Sequence, residues 1–216
     1  MIKRKAKFYN NCIYHIFNKS IANFNIFTSG SNCERFIQTI AFYNNPENKI
    51  SYSKYLRDYK NKGDSLNIFE NNNQYVKVIC YCLMPDHYHF LIRVNHYKNI
   101  YRFIDTIETS YTRYFNLKYK RKGPLWQSSY RSIKIKNNEQ LLHVSRYIHL
   151  NPTTAKLVDK PERWEYSSYK LFINNDDFLQ SIKEISINDK TIYKKFVEDN
   201  IDYQIKLKII KKFLID

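Results

Sequence analysis

Two histidines separated by one residue form the pair best suited to metal chemistry in this sequence. His87 and His89 flank Tyr88 in the segment HYHFLIRV, whose aromatic and β-branched residues predict a strand. Successive side chains of a strand alternate between its faces, so both imidazoles are expected on one side. Two histidines so placed can chelate one divalent cation. The alternative is a pair of surface or internally satisfied histidines on a half-buried strand.

A second group with chemical potential lies in the segment LLHVSRYIHLN. Tyr147 and Asn151 are spaced i, i+4, which puts them on one face of a helix, and His143 lies one turn earlier. A tyrosine whose phenol reaches a metal-polarised phosphate can attack it in line and form a covalent phosphotyrosine. The chain contains 20 tyrosines, so spacing alone does not distinguish Tyr147 from a packing residue.

A structural zinc site is the competing interpretation of the histidine pair. Cys80 and Cys82 also share a strand face, and a hairpin would bring them toward His87 and His89. Four such ligands could hold zinc tetrahedrally. The spacing differs from common zinc-finger spacings, and thiols often serve as small buried hydrophobes, which favours the catalytic interpretation.

The elements that must position these residues follow from hydrophobic periodicity and turn signals. Strands are predicted at 12–18, 75–83, 87–94 and 130–136, and helices at 32–43, 99–118 and 138–150, the last ending at Asn151-Pro152. The order matches a ferredoxin-like α+β fold, with an antiparallel four-stranded sheet and helices on one face. Residues 44–74 are predicted to be a partly helical insertion, and residues 174–216 a C-terminal helical extension.

The charge of the chain favours a polyanionic partner. The 36 Lys and Arg against 20 Asp and Glu leave a net charge of +16. An AT-rich codon bias could supply part of this lysine excess. However, residues 174–216 contain eight Lys and eight acidic residues, so the whole excess lies in residues 1–173. This uneven distribution favours nucleic-acid binding.

Basic and aromatic residues near the candidate site predict a path for DNA. The run KYKRK, with neighbouring aromatic rings, combines phosphate-binding charge with stacking surfaces. The alternative for this run is a solvated helix end. The candidate DNA-binding residues are Lys118, Lys120, Arg121, Lys122, Trp126, Arg131, Lys134 and Arg146.

Three sequence blocks together resemble the IS200-like transposases, a family of HUH (histidine, hydrophobic, histidine) endonucleases. The blocks are CLMPDHYHFLI, YFNLKYKRKGPLWQSSYRS, and SRYIHLNPTTAKLV followed by WEYSSY. They occur in the same order in the repeat-associated tyrosine transposases, and the resemblance runs from about Tyr14 to Tyr169. The insertion at 44–74 is longer than the spacing usual in the family.

This resemblance implies that residues 1–173 form a catalytic domain of HUH endonuclease fold. It implies that Tyr147 is the nucleophile and that His87, His89 and Asn151 are ligands of Mg²⁺ or Mn²⁺. The expected reaction nicks and rejoins single-stranded DNA through a 5′-phosphotyrosine, with a DNA hairpin as substrate and a monomer or homodimer as the active form. The alternative is a non-catalytic nucleic-acid-binding module, such as a domesticated transposase that acts as a regulator.

The cysteines and the apolar segments bear on where the protein resides. Four cysteines, Cys12, Cys33, Cys80 and Cys82, form no disulfide framework typical of secreted proteins. No stretch approaches the roughly 18 apolar residues that span a bilayer. We therefore expect a cytoplasmic protein with reduced thiols and no membrane association.

Overall fold

The computed structural model describes residues 7–58, 66–69 and 73–206. Its strands are β1 (Ile13–Lys19), β2 (Val76–Met84), β3 (His87–Val94) and β4 (Arg131–Lys134). Its helices are α1 (Gly30–Asn44), α2 (Tyr52–Asp58), α3 (Ile100–Lys118), α4 (Asn138–Thr154), α5 (Tyr169–Asn174), α6 (Asp176–Ser181) and α7 (Lys190–Glu198).

The four strands form one sheet in the order β2-β3-β1-β4. β1 pairs with β4 antiparallel, with Tyr14 opposite Lys134 and Phe17 opposite Arg131. β2 and β3 are joined by the two residues Pro85 and Asp86, as in a hairpin. This confirms the predicted α+β class with a four-stranded antiparallel sheet.

The C-terminal end of α4 differs from the prediction, because the helix continues past Pro152 to Thr154. Proline removes one backbone donor, but the next turn closes in a Schellman arrangement. The Leu157 N–H donates to Pro152 O at 3.0 Å and the Lys156 N–H to Thr153 O at 2.9 Å. Lys156 takes the left-handed φ of 58° that this ending requires. Asn151 therefore lies inside the helix.

The insertion at 44–74 contains α2, and its first part is anchored to the helices beside it. The Arg35 guanidinium of α1 lies over the rings of Tyr52 and Tyr114, 4.4 and 4.9 Å from their centroids. The same guanidinium donates to Ser53 Oγ at 2.9 Å. Within the predicted insertion, residues 59–65 and 70–72 lie outside the described residues.

The chain divides into two compact units, and each has its own core. The first comprises Met1–Val78, Pro85–His87 and Ile92–Lys134, and the second Ile79–Met84, Tyr88–Leu91 and Ile135–Asp216. Aromatic rings dominate the first core, including Phe27, Phe36 and Tyr111.

None of the described helices is both long enough and apolar enough to cross a membrane. The domain boundary after residue 173 stays a prediction.

Asn18 links β1 to α3 in the first unit. Its Nδ2 atom donates to Glu108 Oε1 at 2.7 Å and to Ser128 O at 3.0 Å, while its Oδ1 accepts from the Lys19 N–H. Both Asn18 and Glu108 are buried. A buried acceptor that loses its donor pays the cost of its desolvation.

We predict that Asn18→Ala lowers the free energy of unfolding by about 1–3 kcal/mol, because the Glu108 carboxylate loses a buried donor. Urea unfolding of the whole chain measures this loss. The exposed Asn188 provides the control, and Asn188→Ala should change stability by less than about 0.5 kcal/mol. Equal changes in the two variants would contradict the linking role.

Candidate active site

The structure places Tyr147 beside His89 within the second unit. The two rings meet edge to face, with centroids 5.5 Å apart and planes inclined at 83°. Tyr147 is 39% exposed, whereas His89 is buried. Burial raises the pKa of the Tyr147 phenol, and the neighbouring Asn151 amide opposes this rise. An accessible phenol thus lies next to an imidazole, which is an arrangement suited to attack on an electrophile.

Asn151 follows Tyr147 by one helical turn, as the i, i+4 spacing requires. Its side chain is 8% exposed, and its Nδ2 atom has no hydrogen-bond partner within the described parts of the chain. A buried polar atom left in this way is costly, and such atoms often mark the position of a ligand or an ordered water. His143, one turn before Tyr147, is exposed and contacts Arg146.

His87 opens β3, two residues before His89, so strand alternation puts both imidazoles on one face of that strand. Its Nδ1 lies 2.5 Å from Asp86 Oδ1, and Lys19 Nζ lies 3.2 Å from Asp86 Oδ2. Burial alone would raise the pKa of Asp86. The hydrogen bonds and charges of His87 and Lys19 outweigh burial and lower it to about 2. The carboxylate therefore orients the ring through Nδ1, as the carboxylate partner of a metal-binding histidine does.

Backbone hydrogen bonds hold the turn that carries Asp86. The Ser20 N–H donates to Asp86 O at 2.8 Å, and the N–H groups of Ile26 and Phe27 donate to Pro85 O. The segment after β1 therefore hydrogen-bonds to both residues of the turn before His87, Pro85 and Asp86. The sequence pattern did not identify Asp86 as a functional residue, although its position directly before the histidine pair was an available signal.

The opposite face of α4 is occupied by a buried polar network. His149 is fully buried, its Nε2 lies 3.0 Å from Ser168 Oγ, and its Nδ1 lies 3.0 Å from the Tyr193 hydroxyl. That hydroxyl donates to Ser145 Oγ at 3.1 Å. Burial lowers the pKa of His149 to about 3, so the ring is neutral. Helix α7, which carries Tyr193, thus fixes the back of the helix that carries Tyr147.

The WEYSSY block lies along β2 in the same unit. The Leu83 N–H donates to Tyr166 O at 2.8 Å, and the Ser168 N–H donates to Tyr81 O at 3.0 Å. The Trp164 indole donates to Leu83 O at 2.9 Å. This segment covers the outer edge of the sheet and supplies Ser168 to the His149 network. Sequence reasoning assigned no role to Ser168, His149 or Tyr193, because each acts through a partner distant in sequence.

The geometry does not support the structural zinc alternative. Within residues 7–58, 66–69 and 73–206, no three His, Cys, Asp or Glu side chains are grouped to hold a metal ion. Cys80 and Cys82 are fully buried, and burial raises the pKa of the Cys80 thiol well above its ordinary value. Zinc binds the thiolate, so such a thiol is a poor ligand.

The charged groups of two predicted DNA-binding residues are hydrogen-bonded to other residues of the first unit. Lys118 Nζ donates to Ser31 Oγ, Asn32 Oδ1 and the Tyr114 hydroxyl, at 2.8, 2.7 and 3.2 Å. Arg121 donates to Asn116 Oδ1 and to Pro124 O, and it lies over the ring of Phe24. These bonds hold the end of α3 and the turn that follows. Contact of either residue with DNA stays a prediction, and it would compete with these partners.

Trp126 and Arg146 also pack against their own chain. The Trp126 ring lies among Phe27, Phe36 and Tyr111, and its indole donates to Glu108 O at 3.2 Å. Arg146 is 7% exposed, and its guanidinium lies 4.6 Å from the centroid of the Phe196 ring. The sequence patterns could not distinguish such packing from DNA contact, because the same residue types serve both.

The other four predicted DNA-binding residues are exposed: Lys120, Lys122, Arg131 and Lys134. Lys120 adopts a left-handed φ of 49° in the turn after α3. Arg131 and Lys134 lie on the edge strand β4 at positions of opposite parity, so their side chains point to opposite faces. A single path along one face of β4 cannot therefore use both.

Known proteins resemble this chain over a range that contains the candidate site. The family model described as "Transposase IS200 like" matches residues 47–151, a range that includes His87, His89, Tyr147 and Asn151. Over this range, the chain resembles the IS200-like transposase family. A Haemophilus influenzae (strain Rd) protein, provisionally named a REP-associated tyrosine transposase, is 28% identical over 126 residues. That alignment covers 53% of this chain and 71% of the relative.

A solved structure shares the fold of this chain. It is a REP-associated tyrosine transposase bound to a REP hairpin, with a TM-score of 0.58 and 14% sequence identity. The match covers 81% of this chain and 87% of that one. At this identity the match establishes the fold, an α+β arrangement around a four-stranded sheet.

We predict that Tyr193→Phe destabilises the helix that carries Tyr147, because the buried His149 Nδ1 and Ser145 Oγ lose their common partner. The expected loss is about 1–3 kcal/mol in the free energy of unfolding, with faster amide exchange in α4. Urea unfolding and hydrogen exchange measure the two effects. Tyr203, which is 57% exposed, is the control, and Tyr203→Phe should leave both quantities unchanged. Unaltered exchange in α4 of the Tyr193 variant would argue against the network.

Proposed function

We propose that this protein is a transposase of the IS200-like kind, a metal-dependent endonuclease that nicks and rejoins single-stranded DNA through Tyr147. The observation that carries the proposal is the edge-to-face contact between Tyr147 and His89, with Asn151 one turn further along α4. A neutral network holds the other face of α4, so the exposed phenol is presented on a fixed helix. Fixed presentation of a nucleophile lowers the entropic part of a reaction barrier.

We propose His87, His89 and Asn151 as the ligands of a divalent cation. Asp86 orients the His87 ring through Nδ1, and the buried Asn151 side chain follows Tyr147 by one turn of α4. Two imidazoles and an amide oxygen suit Mn²⁺ and are compatible with Mg²⁺. When bound, the cation would polarise the scissile phosphate and stabilise its developing charge.

The reaction itself requires one nucleophile from the protein. The Tyr147 oxygen attacks the phosphorus, the bond from phosphorus to the 3′ oxygen breaks, and the phenol proton is balanced by protonation of that 3′ oxygen. The product is a 5′-phosphotyrosine and a free 3′-hydroxyl. Attack of a 3′-hydroxyl on the phosphotyrosine reverses the step, so rejoining needs no external energy source.

We propose a DNA hairpin with a short single-stranded flank as substrate. The solved structure with the same fold is described as bound to a REP hairpin, and this chain carries a net charge of +16 that suits a polyanion. The unpaired flank would present the scissile phosphate to Tyr147, and the paired stem would supply additional phosphate contacts.

We predict that Tyr147→Phe abolishes the covalent protein–DNA adduct and leaves DNA binding within about twofold, because only the hydroxyl is lost. A denaturing gel with end-labelled single-stranded DNA and Mn²⁺ detects the adduct. Tyr97→Phe is the control, since Tyr97 is also exposed, and it should form the adduct normally. An adduct in the Tyr147 variant would identify another nucleophile. Binding by the native protein without an adduct would favour the non-catalytic binding module.

We predict that His87→Ala and His89→Ala each weaken Mn²⁺ binding and abolish the adduct, because each variant removes a ligand. Electron paramagnetic resonance measures bound Mn²⁺ in the absence of DNA. The exposed His96 provides the control, and His96→Ala should bind Mn²⁺ normally. Cys80→Ser should also retain Mn²⁺ binding and adduct formation. Unchanged Mn²⁺ binding in both histidine variants would contradict the proposed ligands.

A further inference from the structure

A polar groove runs along the outer face of α3 in the first unit. One hollow of about 660 Å³ is bounded by α3 and by the start of the insertion at Ser51 and Ser53. A second hollow of about 270 Å³ adjoins it and shares Tyr43, Arg102 and Thr106. The two hollows together are called the groove, and all of their lining residues belong to the first unit.

The helical wall of this groove has the chemistry that binds phosphates. In the larger hollow, Arg102 and Arg113 are the first and last lining residues of α3, and Thr106, Thr109 and Ser110 lie between them along the helix. Arginine side chains and serine and threonine hydroxyls are common donors to the phosphates of DNA. Arg102 and Arg113 lie eleven residues apart in the helix, or about 16 Å at 1.5 Å per residue. This distance corresponds to about five steps of 3.4 Å along a duplex, so each arginine would meet a different phosphate.

The two arginines are available for such contacts. Both are exposed, and neither guanidinium makes an ion pair or a hydrogen bond with any residue that the structure describes. Lys118 and Arg121 differ from them, because their charged groups are held by their own chain. The groove therefore contains two exposed guanidinium groups that can bind phosphates, although the negative charge of Asp105 on the same wall offsets one of the two positive charges.

The opposite wall is fixed in place by contacts with α1 and α3. Arg35 donates to Ser53 Oγ, and its guanidinium lies between the rings of Tyr52 and Tyr114. The Tyr43 hydroxyl accepts from the Tyr52 N–H at 3.0 Å. A preformed wall reduces the entropy lost when a ligand binds.

We propose that this groove binds the phosphate backbone of paired DNA, namely the stem of the hairpin substrate, and that residues 45–53 at the start of the insertion form one of its walls. This inference rests on the proposed function for the identity of the substrate. Single-stranded DNA is usually held by exposed aromatic rings on which bases stack. The larger hollow has one aromatic residue, Tyr43, whose hydroxyl is already bonded, and the smaller hollow adds Tyr75 and the buried Phe103. The serine and threonine hydroxyls and the guanidinium groups of the larger hollow therefore suit a backbone whose bases are paired.

The test compares a DNA hairpin with a stem of about 10 base pairs, or one helical turn, with an unpaired strand of the same flank sequence. Each phosphate contact to duplex DNA contributes about −0.9 to the slope of log affinity against log salt. Arg102→Ala combined with Arg113→Ala should therefore flatten the slope for the hairpin by up to about 1.8 and leave the slope for the unpaired strand unchanged. Asp105→Asn should tighten hairpin binding. Lys170→Ala combined with Lys183→Ala removes the same charge from exposed positions outside the groove and should leave the slope unchanged.

The possible outcomes separate this inference from the proposed nuclease activity. A flatter hairpin slope in the Arg102 and Arg113 variant, with the control unaffected, supports the groove even if the native protein forms no adduct. An unchanged hairpin slope overturns the groove even if the adduct forms normally. Equal flattening for the hairpin and the unpaired strand overturns the assignment to the stem. Equal effects of the control pair show general charge attraction and also overturn it.

Discussion

The position of Tyr147 depends on the packing of α4 through its other face. His149 is fully buried there and is held by Ser168 on one side and Tyr193 on the other. Because burial lowers the pKa of His149 to about 3, the ring stays neutral and requires no counterion in the core. The helix therefore has one face devoted to stability and another that carries Tyr147 and Asn151. Helix α7 and the segment around Ser168 stabilise the proposed site without touching the reacting groups.

The basic residues of the first unit also divide into those that stabilise the fold and those that remain exposed. Lys118 and Arg121 have the charge expected of DNA-binding residues, yet both hold the end of α3 to its surroundings. Arg102 and Arg113 on the same helix keep their guanidinium groups exposed. Net charge thus favours a polyanionic partner for the chain as a whole, but it does not identify the residues that meet phosphates. Local hydrogen bonds decide this, because a cation already bonded within the protein must give up those bonds to bind DNA.

Most of the elements could be predicted because their signals are local. The alternation in HYHFLIRV predicts β3 at its observed bounds, and the apolar stripe on residues 99–118 predicts α3 to within one residue. The prediction was wrong at the end of α4, where the Schellman closure at Lys156 carries the helix beyond Pro152. The role of the C-terminal helices was missed as well, because the Tyr193 to His149 contact joins residues distant in sequence.

The sequence by itself determined most of the secondary structure, the α+β class and the resemblance to the IS200-like transposases, since these depend on periodicity and on motifs that are local in the chain. It also put His87 with His89 on one strand face and Tyr147 with Asn151 on one helix face. Tertiary structure alone brought Tyr147 against His89, left Cys80 and Cys82 buried as thiols, and placed Trp126 among core rings. A residue type has the same sequence signature whether it packs, binds or reacts, and its neighbours in space decide which of these it does.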